Sequence, residues 1–99
     1  MKIQWSPLAI ERVTEIAEYI ALDNPMAADK WVNDIFDSTE ILSDFSKIGR
    51  VVPELQDQTM REILKNNYRI LYKIEINTIS ILTVRHGRQI LPIEELKVE

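Results

Sequence analysis

The chain has 99 residues, 45% of them apolar and 28% charged, with no cysteine and one histidine. That length argues for one domain, 1–99, with a modest core, and the missing cysteines exclude a disulfide framework, a thiolate zinc site and, with a single histidine, a histidine-rich metal centre. The net charge of −4 speaks against bulk binding to nucleic acid.

No metal or cofactor is expected. No apolar run is long enough to span a bilayer, so no membrane association is expected. Glu11, Glu15, Glu18 and Asp23 stand where a secretory leader needs an apolar stretch, so the expected location is cytoplasmic. The charges are unevenly spread: residues 1–58 hold 5 basic and 11 acidic side chains, residues 59–93 hold 6 and 2. Such halves arise from solvated faces, or from a basic half that meets an anionic partner.

In chain order, "KIQWS" (2–6) alternates and predicts a short first strand. Ser6 is a good N-cap and Pro7 suits the first helical position, where its missing N–H costs nothing. Ile10, Val13, Ile16 or Ala17, and Ile20 then recur at helical spacing, which predicts a helix over 7–22. Asn24 and Pro25 repeat the same punctuation and open a second helix, 25–45. Its buried stripe is Ala28, Trp31, Ile35, Thr39 and Leu42, widened by Val32 and Phe36. So short a connection folds the two helices into an antiparallel hairpin.

Residues 46–58 contain Gly49 and Pro53, lose the helical period and read as a loop. "MREILK", "YRILYKIE" and "ISILTVRHGR" follow as strands. Asn66-Asn67 reads as a two-residue turn, because Asn tolerates the positive φ that tight hairpins need. That turn pairs Lys65 with Tyr68 and puts Ile63 on one face with Ile70. Tyr68, Ile70, Tyr72 and Ile74 form an apolar face, with Arg69 and Lys73 on the other. The order is β-α-α-β-β-β, an α+β layout in which a helical hairpin packs on a small antiparallel sheet. The opposite sheet face is expected to be partly bare and to carry some of the arginines. Trp5, Trp31 and Tyr72 read as core.

"MREI", "NNYRILYKI" and "ISILTVRHGRQILP", in this order behind "SPLAIERVTEIAEYIA", resemble the RelE/ParE superfamily of type II toxins, and more closely its ParE branch. The resemblance covers nearly all of the chain. It implies a toxin of a plasmid or chromosomal addiction system, neutralised by a cognate antitoxin whose unfolded segment wraps it along the helical hairpin and sheet edge. ParE-like members poison DNA gyrase without being enzymes; RelE-like members cut mRNA on the ribosome, which is the alternative here.

RNA cleavage of that kind needs a general base, a general acid and cations around the phosphate. Arg61, Arg85 and His86 are the candidates, His86 as a proton carrier. The pattern departs from the nuclease branch: His86 is followed by Gly87 rather than tyrosine, and the 46–58 loop offers only Lys47 and Arg50. The reading therefore leans from enzyme to docking surface. Arg61, Arg69, Arg85, Arg88 and Gln89 are the residues expected to meet target or antitoxin. Gly87, between Arg85 and Arg88, signals a bulge or a close backbone approach. Strand alternation should turn His86 away from Arg85.

Overall fold

The computed structural model describes residues 1–87 and 93–96. Strand β1 (Lys2–Trp5) leads into helices α1 (Pro7–Ala21) and α2 (Pro25–Glu40), which ends in a 3-10 turn over Ile41–Ser43. Strands β2 (Arg50–Val51), β3 (Met60–Lys65), β4 (Tyr68–Ile74) and β5 (Thr78–His86) follow, then a 3-10 turn over Ile93–Leu96. The sheet order is β1-β5-β4-β3-β2.

Both helices start where the capping signals place them. The Ser6 and Asn24 side chains accept from the Ala9 and Ala27 N–H groups, and each cap is followed by a proline. The hairpin buries Ala9, Val13, Trp31 and Ile35 against Ile70, Tyr72, Ile79, Ile81 and Val84, with Ile16, Ala17 and Ile20 packed alongside. The stripe of α1 is therefore centred on Ala9 and Val13. Ile10, expected in it, is 42% exposed, because one residue along a helix turns about 100° away from the buried line.

The β3–β4 hairpin has the expected register, Ile63 opposite Ile70 and Lys65 opposite Tyr68. Asn66 takes the positive φ, at 55°. Three features differ from the sequence expectations. The sheet is mixed rather than wholly antiparallel, since β1 runs parallel to β5 with Lys2 opposite Thr78. The long connection that a parallel neighbour requires runs through both helices and strands β2 to β4. The 46–58 loop contains the two-residue β2, which pairs Arg50 with Glu62. The second sheet face is also less bare than expected: Val52, Met60, Leu71, Leu82 and Leu96 form a smaller apolar cluster there.

A β-bulge explains how one strand serves both clusters. Leu71 pairs with Thr83 but Tyr72 pairs with Ile81, so Leu82 is the extra residue. The slip lets Ile81 and Val84 both face the helices while Leu82 joins the opposite cluster. Ser6 anchors this point: its N–H donates to the Ile81 carbonyl and its hydroxyl to the Leu82 carbonyl, both at 3.0 Å.

Candidate functional site

The bulge decides where the candidate side chains go. After it, Val84 and His86 share the helix-facing side of β5 while Thr83 and Arg85 take the other. His86 sits opposite Tyr68, their ring centroids 5.5 Å apart at 74°, and Tyr68 in turn meets the Trp31 ring edge-on at 5.1 Å. Arg61 shares that face but pairs with Tyr72, four positions along β4 and so roughly 13 Å from the His86 end at about 3.3 Å per residue. Arg85 pairs with Arg69 on the far face. The three nuclease candidates, Arg61, Arg85 and His86, are therefore not brought together. Arg69 and Arg85 are.

Two guanidiniums directly opposite one another repel, and the fold answers with carboxylates. Arg69 was expected on a bare, wet face, yet it is only 6% exposed. It donates through Nε to Glu62 at 2.6 Å and through both terminal nitrogens to Glu54 at 2.9 Å. The Glu62 side chain is fully buried and also receives Arg50. The Glu54 bonds hold the Arg69 guanidinium above its ordinary pKa despite burial, and Arg69 holds the Glu54 carboxyl below its own.

Arg85 donates through Nη1 to Glu95 at 3.0 Å. The same carboxylate receives Arg12 through Nε and Nη2 at 3.2 and 3.1 Å, and the Thr83 hydroxyl at 2.7 Å. Burial pushes the Glu95 carboxyl up, but the Arg12 and Thr83 hydrogen bonds and the Arg85 and Arg12 charges outweigh it, and the net displacement is downward.

Arg61 is occupied differently. It donates to the carbonyls of Gln58, Lys47 and Gly49 and to the Gln58 side chain. It thus braces residues 47–49 together with Tyr72, whose buried hydroxyl accepts from the Gly49 N–H at 3.0 Å and donates to the Ser46 carbonyl at 2.7 Å. A Cβ on Gly49 would lie 2.5 Å from that hydroxyl oxygen and 2.6 Å from the Glu62 carbonyl, so only glycine fits. Gly87 serves the close approach suggested by the sequence: its N–H donates to the Asn67 carbonyl at 2.8 Å, and the bulge lies at Leu82 instead. Arg88 and Gln89 lie outside the described residues.

Glu54, Glu62 and Glu95 are the partners that the sequence reading missed. Glu62 left a signal: alternation in "MREILK" puts a carboxylate on the same face as Met60 and Leu64, and an inward acid demands a cation. Glu95 left none, being separated from Arg12 by most of the chain. Among the described residues no group of three or more acidic, His or Cys side chains is placed to hold a metal ion, and no helix is long and apolar enough to cross a membrane.

Residues 3–91 match the family model of the ParE toxin of the type II toxin–antitoxin system, parDE. The Sinorhizobium fredii protein Y4kP, which carries the name of a toxin, is 34% identical over 92 residues, 92% of this chain and 93% of that one. Two solved structures share the fold. The chromosomal ParDE system of P. aeruginosa aligns with a TM-score of 0.72 at 21% identity, covering 87% of this chain and 95% of that chain. The RelBE2 toxin–antitoxin complex of Mycobacterium tuberculosis aligns at 0.56 and 17%, covering 86% and 95%.

Proposed function

The chain belongs to the ParE toxin family of type II toxin–antitoxin systems, and from that premise we propose that it arrests growth by docking on DNA gyrase rather than by cutting mRNA. The observation that carries this reading is the separation of His86 from the candidate arginines: Arg61, on the same face, lies roughly 13 Å away along the strands at about 3.3 Å per residue, and Arg85 lies on the opposite face. His86 packs on Tyr68 beneath the helices, while Arg85 and Arg69 lie on the opposite sheet face. A proton carrier and a phosphate grip on opposite faces of one sheet cannot act on the same phosphodiester.

The gyrase contact is assigned to the exit of β5, through Arg85, Arg88 and Gln89. Arg61 contributes from the other face, and Arg69, buried and held by Glu54 and Glu62, fixes the neighbouring strand rather than reaching the target. The toxin works in the cytoplasm, needs no cofactor, and is silenced by a cognate antitoxin. The tip of the helical hairpin supports such a partner. Tyr19, Leu22 and Met26 are 76%, 85% and 83% exposed, and Tyr19 and Leu22 border a shallow concavity with Ile20, Asp23, Asn24 and Ala27. Large apolar side chains grouped this way mark surfaces that a partner covers, and a segment that folds as it binds is suited to cover them.

A supercoiling assay with purified gyrase, run beside a translating extract in which mRNA integrity is followed, tests the reading. Loss of supercoiling with stabilised cleaved DNA and intact mRNA is expected. In cells lacking antitoxin, Arg85→Ala should relieve growth arrest and His86→Ala should not. Cleaved mRNA with supercoiling untouched would replace gyrase by the ribosome as target.

A further inference from the structure

Four donors converge on one carboxylate at Glu95: Arg12 Nε and Nη2, Thr83 Oγ1 and Arg85 Nη1, all between 2.7 and 3.2 Å. The donors belong to α1 and β5, elements held by the main core. The acceptor belongs to the four-residue turn Ile93–Leu96. Thr83 is fully buried, and the Arg12, Arg85 and Glu95 side chains are 25%, 20% and 11% exposed. We infer that Arg12, Thr83 and Arg85 form a binding site for a free or terminal phosphate group, which the chain's own Glu95 occupies as an internal stand-in.

Three observations point to phosphate. Two guanidiniums and a hydroxyl from different elements are the donor set that grips a tetrahedral oxyanion, and the four bonds made, two to each Glu95 oxygen, leave that carboxylate no acceptor site for a fifth donor. Arg85 shows the shortfall: its Nε is buried and has no hydrogen-bond partner among the described residues. The local charge agrees, since the pocket holds two cations against the single anion of Glu95, while Glu15 meets Arg12 from the solvent side and is itself 53% exposed. A free or terminal phosphate, with up to two charges and at least three terminal oxygens, satisfies both arginines and has an oxygen to spare for Arg85 Nε, whereas a strand diester, with one charge and two such oxygens, offers no more than the carboxylate. The inference stands on the geometry of this cluster and does not depend on gyrase as the target.

The competition has a mechanical side. Leu96 is 8% exposed and packs with Val52, Met60, Leu71 and Leu82, which seats the turn, and Glu95 with it, against the sheet. Phosphate and the seated Glu95 carboxylate therefore exclude one another.

The test uses the full-length chain and Glu95→Gln, which keeps shape and removes the competing charge. Inorganic phosphate is titrated against chloride at matched ionic strength, following thermal unfolding and the Arg85 Nε–H resonance. A thymidine dinucleotide serves as the diester probe. Glu95→Gln should bind inorganic phosphate about tenfold more tightly than the unmodified chain, with a saturable shift of the Arg85 signal, and Glu95→Gln/Arg12→Met should lose it. Saturation by inorganic phosphate and not by the dinucleotide is expected; equally tight saturation by the dinucleotide overturns the assignment to a free or terminal phosphate. A folded Glu95→Gln that binds phosphate no better than the unmodified chain, or equally well without Arg12, overturns the inference. If Glu95→Gln does not fold, the unmodified chain decides: phosphate must shift the Arg85 and Thr83 signals saturably where chloride does not, and a flat response refutes the site.

Discussion

Replacing Tyr72 by phenylalanine removes a single oxygen and leaves the ring in place, so its effect can be worked from two hydrogen bonds. The hydroxyl is the partner of the Gly49 N–H at 3.0 Å in a buried setting, and of the Ser46 carbonyl at 2.7 Å nearer the surface. An orphaned buried donor costs about 1–3 kcal/mol, and an ordinary hydrogen bond with water as substitute contributes about 1. The sum is about 2–4 kcal/mol, or roughly 8–32 °C in Tm for a domain of this size. Gly49→Ala supplies the second edge of a cycle. Its new Cβ would meet three close atoms, Tyr72 Oη at 2.5 Å, Glu62 O at 2.6 Å and Tyr72 Cε1 at 2.8 Å. Phenylalanine removes the nearest of them, so Gly49→Ala should cost less in the Tyr72→Phe background than in the unmodified chain. Urea and thermal unfolding of the four proteins, followed by circular dichroism, measure this. A Tyr72→Phe variant within about 0.5 kcal/mol of the parent, or strictly additive costs, would refute the idea that this hydroxyl pins the loop.

Ser6→Ala removes the cap on the Ala9 N–H and the bond to the Leu82 carbonyl together, and should cost about 1–2 kcal/mol; a smaller change in the urea midpoint would mean that water replaces both. Stability should also fall in acid. The Glu95 and Glu54 carboxyls titrate below their ordinary 4.5 in the fold, so the unfolded chain binds more protons. Their contribution is complete above about pH 4.5 and is lost as pH falls through the lower folded values. Urea midpoints measured from pH 7 down to 3 should show this loss, and Glu95→Gln should flatten part of it.

What could be read from the sequence was local. The capping residues, the prolines behind them and the Asn66-Asn67 turn act within a few positions, and they placed both helices and the Ile63–Ile70 register. What could not be read is set by distant contacts. Nothing in "KIQWS" says that it will lie parallel to β5, and nothing in "ISILTV" says that Leu82 will be the extra residue. The arginines show the same limit. Alternation separated Arg69 from Tyr68 and Ile70, and Arg85 from His86, but charge counting treats a lone surface arginine and a paired one alike. Only the meeting of β2, β3 and β4 reveals that Glu54 and Glu62 claim Arg69.

The parallel seating of β1 against β5 has a consequence for the order in which the molecule can be made. Lys2 and Thr78 are register partners far apart in the chain, and the Ser6 hydroxyl reaches Leu82 across 76 positions. During synthesis the first strand waits, unpaired, until residues 78–81 have emerged. The helices meanwhile carry Ala9, Val13, Trp31 and Ile35 with no sheet to cover them. Contacts this distant form late, and the waiting intermediate has apolar faces that invite other proteins. The nascent chain therefore carries these apolar faces uncovered for the few seconds that synthesis of about 5–20 residues per second takes to reach β5.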